Sequence, residues 1–282
     1  MTLVIGRRFG DLTYLIADTG SYVPLIIKNP HPFTDPLAKV LVDKAAAIAY
    51  AGNTFYLSDV YSIISSAKQC DDTVSVLTEI NRRSKGEIDF LVVNLENRGL
   101  TRIRNCEAEL VETAYIGSQE AFTCLQKKRH KSELDQSTRF SMVKLPEASE
   151  ESDRNFAADL TAFNLVLEYG LRDARGFAVP FFAKPNEHSF GTYAIATRRP
   201  LASNELNMGE PTLINWQGAP EGAFSINFGG NDRGFGCHIR EGSICIEWTP
   251  ECHNKPNVFS YPERQFIQAM QAKHGIQMIE RS

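Results

Sequence analysis

Short apolar runs alternate with turn residues over the first fifty positions, a pattern that predicts antiparallel strands. Residues 2–6 and 12–17 are mainly apolar or β-branched, and a polar stretch containing glycine separates them. Two such runs joined by a short turn predict a hairpin that begins at the second residue. After a proline-rich loop, residues 39–42 and 45–51 form two further predicted strands, and Gly52 ends the pattern.

After residue 52 the spacing of apolar residues becomes typical of helices, and the predicted helices are followed by further predicted strands. The predicted helices cover residues 55–64, 71–85, 118–129 and 156–171. The predicted strands cover residues 88–95, 100–104, 110–116, 177–183 and 192–197. The polar stretch 131–153 predicts an exposed loop. Blocks of strands and helices in this order predict an α+β fold, with antiparallel sheets between outer helices.

The last third of the chain differs in composition: it is rich in glycine, and short strands are predicted at residues 223–228 and 243–248. Its segment 229–236 is rich in glycine, but no helical pattern follows it. A tight turn between two strands is therefore predicted there, and not a phosphate-binding loop. We divide the chain into a main domain, residues 1–198, and a β-rich carboxyl-terminal extension, residues 199–282.

Composition excludes several classes of protein. The 282 residues carry 30 basic and 34 acidic side chains, and this net charge of −4 argues against a general binder of nucleic acid or anionic membranes. No apolar run approaches the ~18–20 residues that span a bilayer, and the first charges follow the first apolar stretch, the reverse of a secretory signal. The six cysteines are then expected to be reduced thiols. We expect a cytoplasmic globular protein with neither membrane nor nucleic-acid partners.

Three cysteines near the carboxyl terminus raise the question of a zinc site. Cys237 and Cys245 are eight residues apart and Cys252 follows seven residues later, with His238 and His253 next to the first and the last. Structural zinc sites usually pair cysteines about two to four residues apart. Buried cysteines in strands are therefore the preferred interpretation, and we expect neither a metal nor a cofactor.

The amino terminus offers a possible nucleophile. A hydroxyl on the first residue of a chain needs no histidine base, because the free α-amine, with an ordinary pKa of ~7.7–8, can take its proton. Removal of Met1 would create this arrangement at Thr2. Taken alone, Thr2 is most simply a plain second residue, so its meaning depends on residues further along the chain.

Those residues occur in a familiar order. The sequence resembles the proteasome β-subunit and HslV family of amino-terminal-nucleophile (Ntn) hydrolases from Thr2 to about residue 197. The resemblance rests on Asp18, sixteen residues after Thr2 in Ile16-Ala17-Asp18-Thr19-Gly20, and on Lys39-Val40, Ala49-Tyr50-Ala51-Gly52 and Ile116-Gly117-Ser118. It implies a four-layer αββα sandwich, to which the extension after residue 198 is foreign.

The resemblance also implies roles for these residues. Thr2 Oγ would attack a peptide carbonyl with its own amine as general base. Lys39 would keep that amine neutral by its positive charge, and Asp18 would hold Lys39 charged and oriented. Taken singly, a lysine such as Lys39 is more often a solvated charge at a strand edge, and an aspartate such as Asp18 is more often a turn residue.

Three further residues complete the implied site. A backbone N–H near Gly52, or at Ala49, would stabilise the oxyanion. Ser118 would hydrogen-bond the threonine amine, although it also suits a simple helix cap. Asp173 matches a family aspartate, but Gly176 stands where the family often has serine, which weakens the support around the amine.

The function implied is that of a threonine-type peptidase acting on peptide or unfolded protein within a homo-oligomer, with an ATPase or regulator as a possible partner. The alternative is a catalytically silent protein of the same fold that serves as a binding or assembly subunit. A third, weaker alternative is an amidase that acts on a small molecule.

Overall fold

Three antiparallel sheets and five α-helices make up the part of the chain that the computed structural model describes. That part consists of residues 2–20, 38–64, 69–132, 140–144, 150–168, 174, 178–185, 187–190, 192–197, 222–231, 233–239, 243–249 and 257–278. The fold is mixed α+β, as the sequence predicts.

The elements follow one another in this order along the chain. The strands are β1 (Leu3–Phe9), β2 (Leu12–Asp18), β3 (Val40–Val42), β4 (Ala46–Gly52), β5 (Ile88–Asn94), β6 (Leu100–Arg104), β7 (Glu107–Val111), β8 (Thr113–Gly117), β9 (Phe140–Lys144), β10 (Ala178–Lys184), β11 (Glu187–Phe190), β12 (Thr192–Thr197), β13 (Gly222–Asn231), β14 (Gly234–Ile239), β15 (Ile244–Trp248) and β16 (Asn257–Ser260). The helices are α1 (Leu57–Ile64), preceded by a 3₁₀ turn (Thr54–Tyr56), α2 (Cys70–Arg83), α3 (Gln119–Ser132), α4 (Glu150–Glu168) and α5 (Glu263–His274).

The first sheet has the strand order β11-β10-β2-β1-β8 and contains the amino-terminal hairpin. Phe9 pairs with Leu12 across a tight turn, in which Gly10 adopts a φ of 53°. This turn conformation is easily reached by glycine. Every residue of β2 is buried, because β1 and β10 flank the strand and α4 packs against it. The predicted hairpin that begins at the amino terminus is therefore confirmed.

The second sheet has the order β3-β4-β5-β6-β7 and packs against the first. Strands β1 and β8 contact β4, and α2 packs against β5 and β6. Apart from Gly52, β4 is buried and consists largely of alanine, which lets the backbones of the two sheets approach closely.

The third sheet has the order β16-β15-β14-β13-β12-β9 and joins strands from both sides of residue 198. Its β13 contacts β11 of the first sheet and β3 of the second, and α5 packs on β14. Two adjacent glycines of β13 allow close approaches: a Cβ at Gly230 would lie 2.3 Å from the Phe190 ring, and one at Gly229 would lie 2.4 Å from the Met278 side chain. The division of the chain at residue 198 stays a prediction.

The structure corrects two parts of the sequence-based assignment. The predicted loop 131–153 contains β9 and the first turn of α4, which begins at Glu150. The predicted strand 110–116 is two strands, β7 and β8, that meet at Glu112 and belong to different sheets. The tight turn predicted within 229–236 is confirmed, because Asn231 pairs with Gly234 between β13 and β14.

Candidate active site

Thr2 lies at the start of β1, beside the carboxyl end of β2. The backbone N–H of Leu3 donates a hydrogen bond to Asp18 Oδ1 over 3.0 Å. The hairpin register produces this contact, because Val4 pairs with Ala17 and the residues just beyond that pair meet. Thr2 is 7% exposed and Asp18 is fully buried. The first residues of β1 are thus held against the end of β2.

Lys39 reaches the same carboxylate from the start of β3. Its Nζ lies 2.9 Å from Asp18 Oδ2 and donates a hydrogen bond to the Gly20 carbonyl over 2.6 Å. Burial disfavours the ammonium and lowers the pKa of Lys39 from its ordinary value, while the Asp18 carboxylate opposes this by favouring the charged form. Each charge therefore compensates the other in a place where a lone charge would be costly.

Ser118 meets Thr2 from the other side of β1. Its backbone N–H donates to the Thr2 carbonyl over 2.8 Å. The preceding Gly117 has a φ of 94°, and a Cβ there would lie 1.9 Å from the same carbonyl oxygen. Ser118 Oγ accepts a hydrogen bond from the N–H of Ala121 over 3.2 Å and so caps α3. The helix-cap interpretation is therefore correct, and it coexists with the position beside Thr2.

Gly52 lies at the open end of β4. Its φ is 127°, and a Cβ would lie 2.1 Å from the Glu87 carbonyl oxygen, so a side chain would not fit. Ala49 pairs with residues of both β3 and β5, whereas Gly52 pairs with β5 and lies beyond the register of β3. Gly52 is therefore better placed than Ala49 to offer a backbone N–H to a ligand. The adjacent Ala51 side chain lies 3.3 Å from the Cβ position of Gly117, which brings this strand end close to Thr2.

Four of the residues singled out in the sequence thus lie close together: Ser118 contacts Thr2, the adjacent Leu3 N–H contacts Asp18, and Asp18 contacts Lys39. Gly52 lies at the neighbouring strand end. Asp173 lies outside the described residues. The set draws on four separate segments of the chain, so it forms only when the two sheets pack together.

Sequence reasoning missed two contacts of this site. The Gly20 carbonyl accepts from Lys39, and the side chain of Tyr50 contacts the residue before Lys39 through a hydrogen bond from its hydroxyl to the Ala38 carbonyl over 2.8 Å. Tyr50 stands inside the quoted segment Ala49-Tyr50-Ala51-Gly52, but its contact depends on the register between β3 and β4. That register cannot be read from local sequence.

The cysteines of the third sheet are buried. Burial raises the pKa of the Cys245 thiol to about 11 and that of Cys237 well above its ordinary value. Within the described ranges, no group of three or more His, Cys, Asp or Glu side chains is arranged to hold a metal ion. Cys252 and His253 lie outside those ranges. No helix described here is both long and apolar enough to cross a bilayer.

Comparison with known proteins gives little further assignment. No family model matches the sequence, and no curated protein matches it. Among solved structures the chain is similar to one described as "Thiobacillus denitrificans BPH in complex with Epoxomicin", with 12% sequence identity and a TM-score of 0.46. The match covers 65% of this chain and 98% of the other.

Proposed function

We propose that this chain is a threonine-type peptidase of the Ntn class, in which removal of Met1 makes Thr2 the nucleophile. The observation that carries the proposal is the buried Asp18 carboxylate, which accepts from the Leu3 N–H with one oxygen and contacts Lys39 Nζ with the other. A single anion thereby fixes both the backbone next to Thr2 and the one ammonium among these site residues. A structural ion pair alone would not need to hold the first residues of the chain.

The reaction proceeds in two halves. The Thr2 α-amine accepts the hydroxyl proton, and Oγ forms a bond to the substrate carbonyl carbon. The carbonyl oxygen becomes an oxyanion, which the Gly52 backbone N–H stabilises by about 3 kcal/mol. The C–N bond then breaks, the leaving amine takes the proton, and an ester on Thr2 remains. Water, deprotonated by the same amine, hydrolyses this ester and restores the hydroxyl.

Lys39 acts on this reaction through its charge. An ammonium near the α-amine disfavours a second positive charge and keeps the amine neutral, which is the form that accepts a proton. Burial lowers the pKa of Lys39 from its ordinary value. The Asp18 carboxylate favours the charged form of Lys39 and fixes the direction of its ammonium.

We also propose that the main part of the chain forms the four-layer αββα sandwich of this class. Three kinds of contact support this arrangement: α4 lies against β2 and β10, the first two sheets face one another, and α2 lies against β5 and β6. By resemblance to the class, the same proposal includes assembly into a homo-oligomer, a peptide or unfolded-protein substrate, and an ATPase or regulator as partner.

The experiment combines mass spectrometry with three variants. The purified protein is weighed intact and assayed against a panel of fluorogenic peptides and small-molecule amides. Thr2→Ala should abolish hydrolysis, and Thr2→Ser should retain part of it. Thr13→Ala is the matched control, because Thr13 is also a buried threonine of the hairpin but donates its hydroxyl to the Arg98 carbonyl, away from the site.

Two outcomes would point elsewhere. Retained Met1 on folded, assembled protein without hydrolysis would favour a silent binding or assembly subunit. Hydrolysis of amides but of no peptide would favour a small-molecule amidase.

A further inference from the structure

We infer that Tyr50 is a positioning residue for Lys39, a role that deepens the proposed function and rests on it. The neighbours of Lys39 show why such a residue is required. Strand β3 has only three residues, and Lys39 lies immediately before the first of them. A lysine carries its ammonium on a flexible four-carbon stem, so the side chain alone does not fix the position of the charge. A fixed ammonium therefore needs support at both ends of the residue.

The ammonium end is held by Asp18 and the Gly20 carbonyl. The backbone end is held by Tyr50. The Tyr50 N–H donates to the Lys39 carbonyl over 3.2 Å, and its hydroxyl donates to the Ala38 carbonyl over 2.8 Å. One residue thus binds two consecutive carbonyls, one on each side of the Lys39 Cα atom.

The side chain of Tyr50 is suited to this role. It is 2% exposed, and Ala38 is 5% exposed, so the hydrogen bond between them is shielded from water. A buried hydroxyl and a buried carbonyl each need a partner, and here each satisfies the other. The ring has few rotatable bonds, so the hydroxyl fixes the carbonyl at little cost in side-chain entropy.

Replacing Tyr50 by phenylalanine separates the effect of the hydroxyl hydrogen bond from the effect of ring packing. Tyr50→Phe keeps the ring and the backbone N–H but leaves the Ala38 carbonyl without its donor. Tyr14→Phe is the matched control: Tyr14 is fully buried and donates its hydroxyl to Asp159 Oδ2 over 2.7 Å, on the side of the first sheet covered by α4. Both variants lose one buried hydroxyl, and only the first loses a contact beside Lys39.

The titration of Lys39 is the decisive measurement because it needs no substrate. Lysine labelled with ¹³C at Cε is followed by NMR over pH, and the Lys39 signal is assigned by its loss in Lys39→Met. Asp18 of β2 is the charged side chain that contacts the ammonium, and the Tyr50 hydroxyl of β4 lies against the Ala38 carbonyl. Burial is the largest influence on the pKa of Lys39 and lowers it. Loosening this side chain should therefore raise its pKa toward the ordinary value of lysine.

We expect the measured pKa of Lys39 to rise in Tyr50→Phe and to stay unchanged in Tyr14→Phe. Equal Lys39 titrations in wild type and Tyr50→Phe would overturn the inference, whatever the activity of the protein. In active wild-type enzyme, Tyr50→Phe should lower kcat about fivefold, the value of one net hydrogen bond, and leave KM unchanged. An unchanged kcat beside a shifted titration would remove the role in catalysis. A wild type without hydrolysis would refute the proposed function but leave the titration as a valid test of positioning.

Discussion

Replacing Asp18 by asparagine removes the charge that compensates the buried ammonium of Lys39. The two side chains are 0% and 2% exposed and 2.9 Å apart, so solvent does not screen their interaction. Asparagine keeps an oxygen that can accept from the Leu3 N–H, so that hydrogen bond is not lost in principle. The change therefore isolates the ion pair from the backbone contact.

The expected loss of unfolding free energy in Asp18→Asn is large at low pH and becomes smaller as the pH rises. Leaving one partner of a buried pair uncompensated costs about 3–5 kcal/mol of unfolding free energy. In Asp18→Asn the folded-state pKa of Lys39 falls further, because the carboxylate that raised it is gone. Below that folded pKa, Lys39 is charged in both states and the full loss is present. Between the folded-state pKa of Lys39 in the variant and its higher folded-state pKa in wild type, the folded variant binds fewer protons than folded wild type, so the loss declines by about 1.4 kcal/mol per pH unit.

Urea unfolding at pH 6 and pH 9.5 measures the size of this loss and its dependence on pH, each as a difference in unfolding free energy from wild type. The matched control is Asp11→Asn, which breaks a 3.1 Å ion pair with Arg98 in which the Asp11 side chain is 79% exposed. An exposed pair of this kind contributes little, so the control should stay within about 0.5 kcal/mol of wild type at both pH values. A loss below about 1 kcal/mol for Asp18→Asn at pH 6, or a loss that does not change with pH, would refute the reasoning.

Two further substitutions test the close packing beside the site and in the third sheet, and one labelling experiment tests the burial of a cysteine. Gly117→Ala should lower the unfolding free energy by more than about 2 kcal/mol, because a Cβ meets a backbone carbonyl at 1.9 Å and φ is 94°. Gly230→Ala should lose about 1–3 kcal/mol against the Phe190 ring, as urea unfolding will show. Iodoacetamide at pH 8, followed by peptide mass spectrometry, should label the partly exposed Cys106 well before the buried Cys245.

Each of these changes has its own control. Gly86 also has a positive φ, 78°, but nothing lies within 4 Å of its Cβ position, so Gly86→Ala should show the backbone strain without the clash. An equal loss in Gly86→Ala and Gly117→Ala would contradict the close approach to Thr2. Phe190→Leu should partly rescue Gly230→Ala, and strictly additive losses would argue against that contact. Equal labelling of the two cysteines in native protein would contradict the burial of Cys245.

The amino-terminal hairpin and the helices near the middle of the chain were predictable because their signals are local. Gly10 provides the turn between two apolar runs, and α2 carries Asp71 and Asp72 in its first turn and is followed by Gly86. Strand β9 carries no such signal, since its pairing partner β12 lies about fifty residues later and supplies the hydrogen bonds. The break at Glu112 was missed because β7 is mostly exposed and shows no alternating buried face.

The site was predictable only in part, for a similar reason. The order of Thr2, Asp18, Lys39 and Ser118 suggests their association, because a resemblance carries information about distant positions. The contacts that fix them are set by sheet packing. The Leu3 N–H reaches Asp18 through the hairpin register, and Tyr50 reaches Ala38 through the register of β3 and β4. The sequence predicts that these strands pair, but the turn type that fixes each register is seen only in the structure.

One measurement tests the nucleophile directly. Purified protein is mixed with an activated peptide ester, quenched with acid in the first turnover, and digested for mass spectrometry. If Thr2 is the nucleophile, the amino-terminal peptide begins at Thr2 and carries the acyl mass on that residue, as expected for a covalent intermediate. The acyl mass should be absent from Thr2→Ala and present in Thr13→Ala. An amino-terminal peptide that still begins with Met1, or an acyl group found on another residue, would contradict the proposed mechanism.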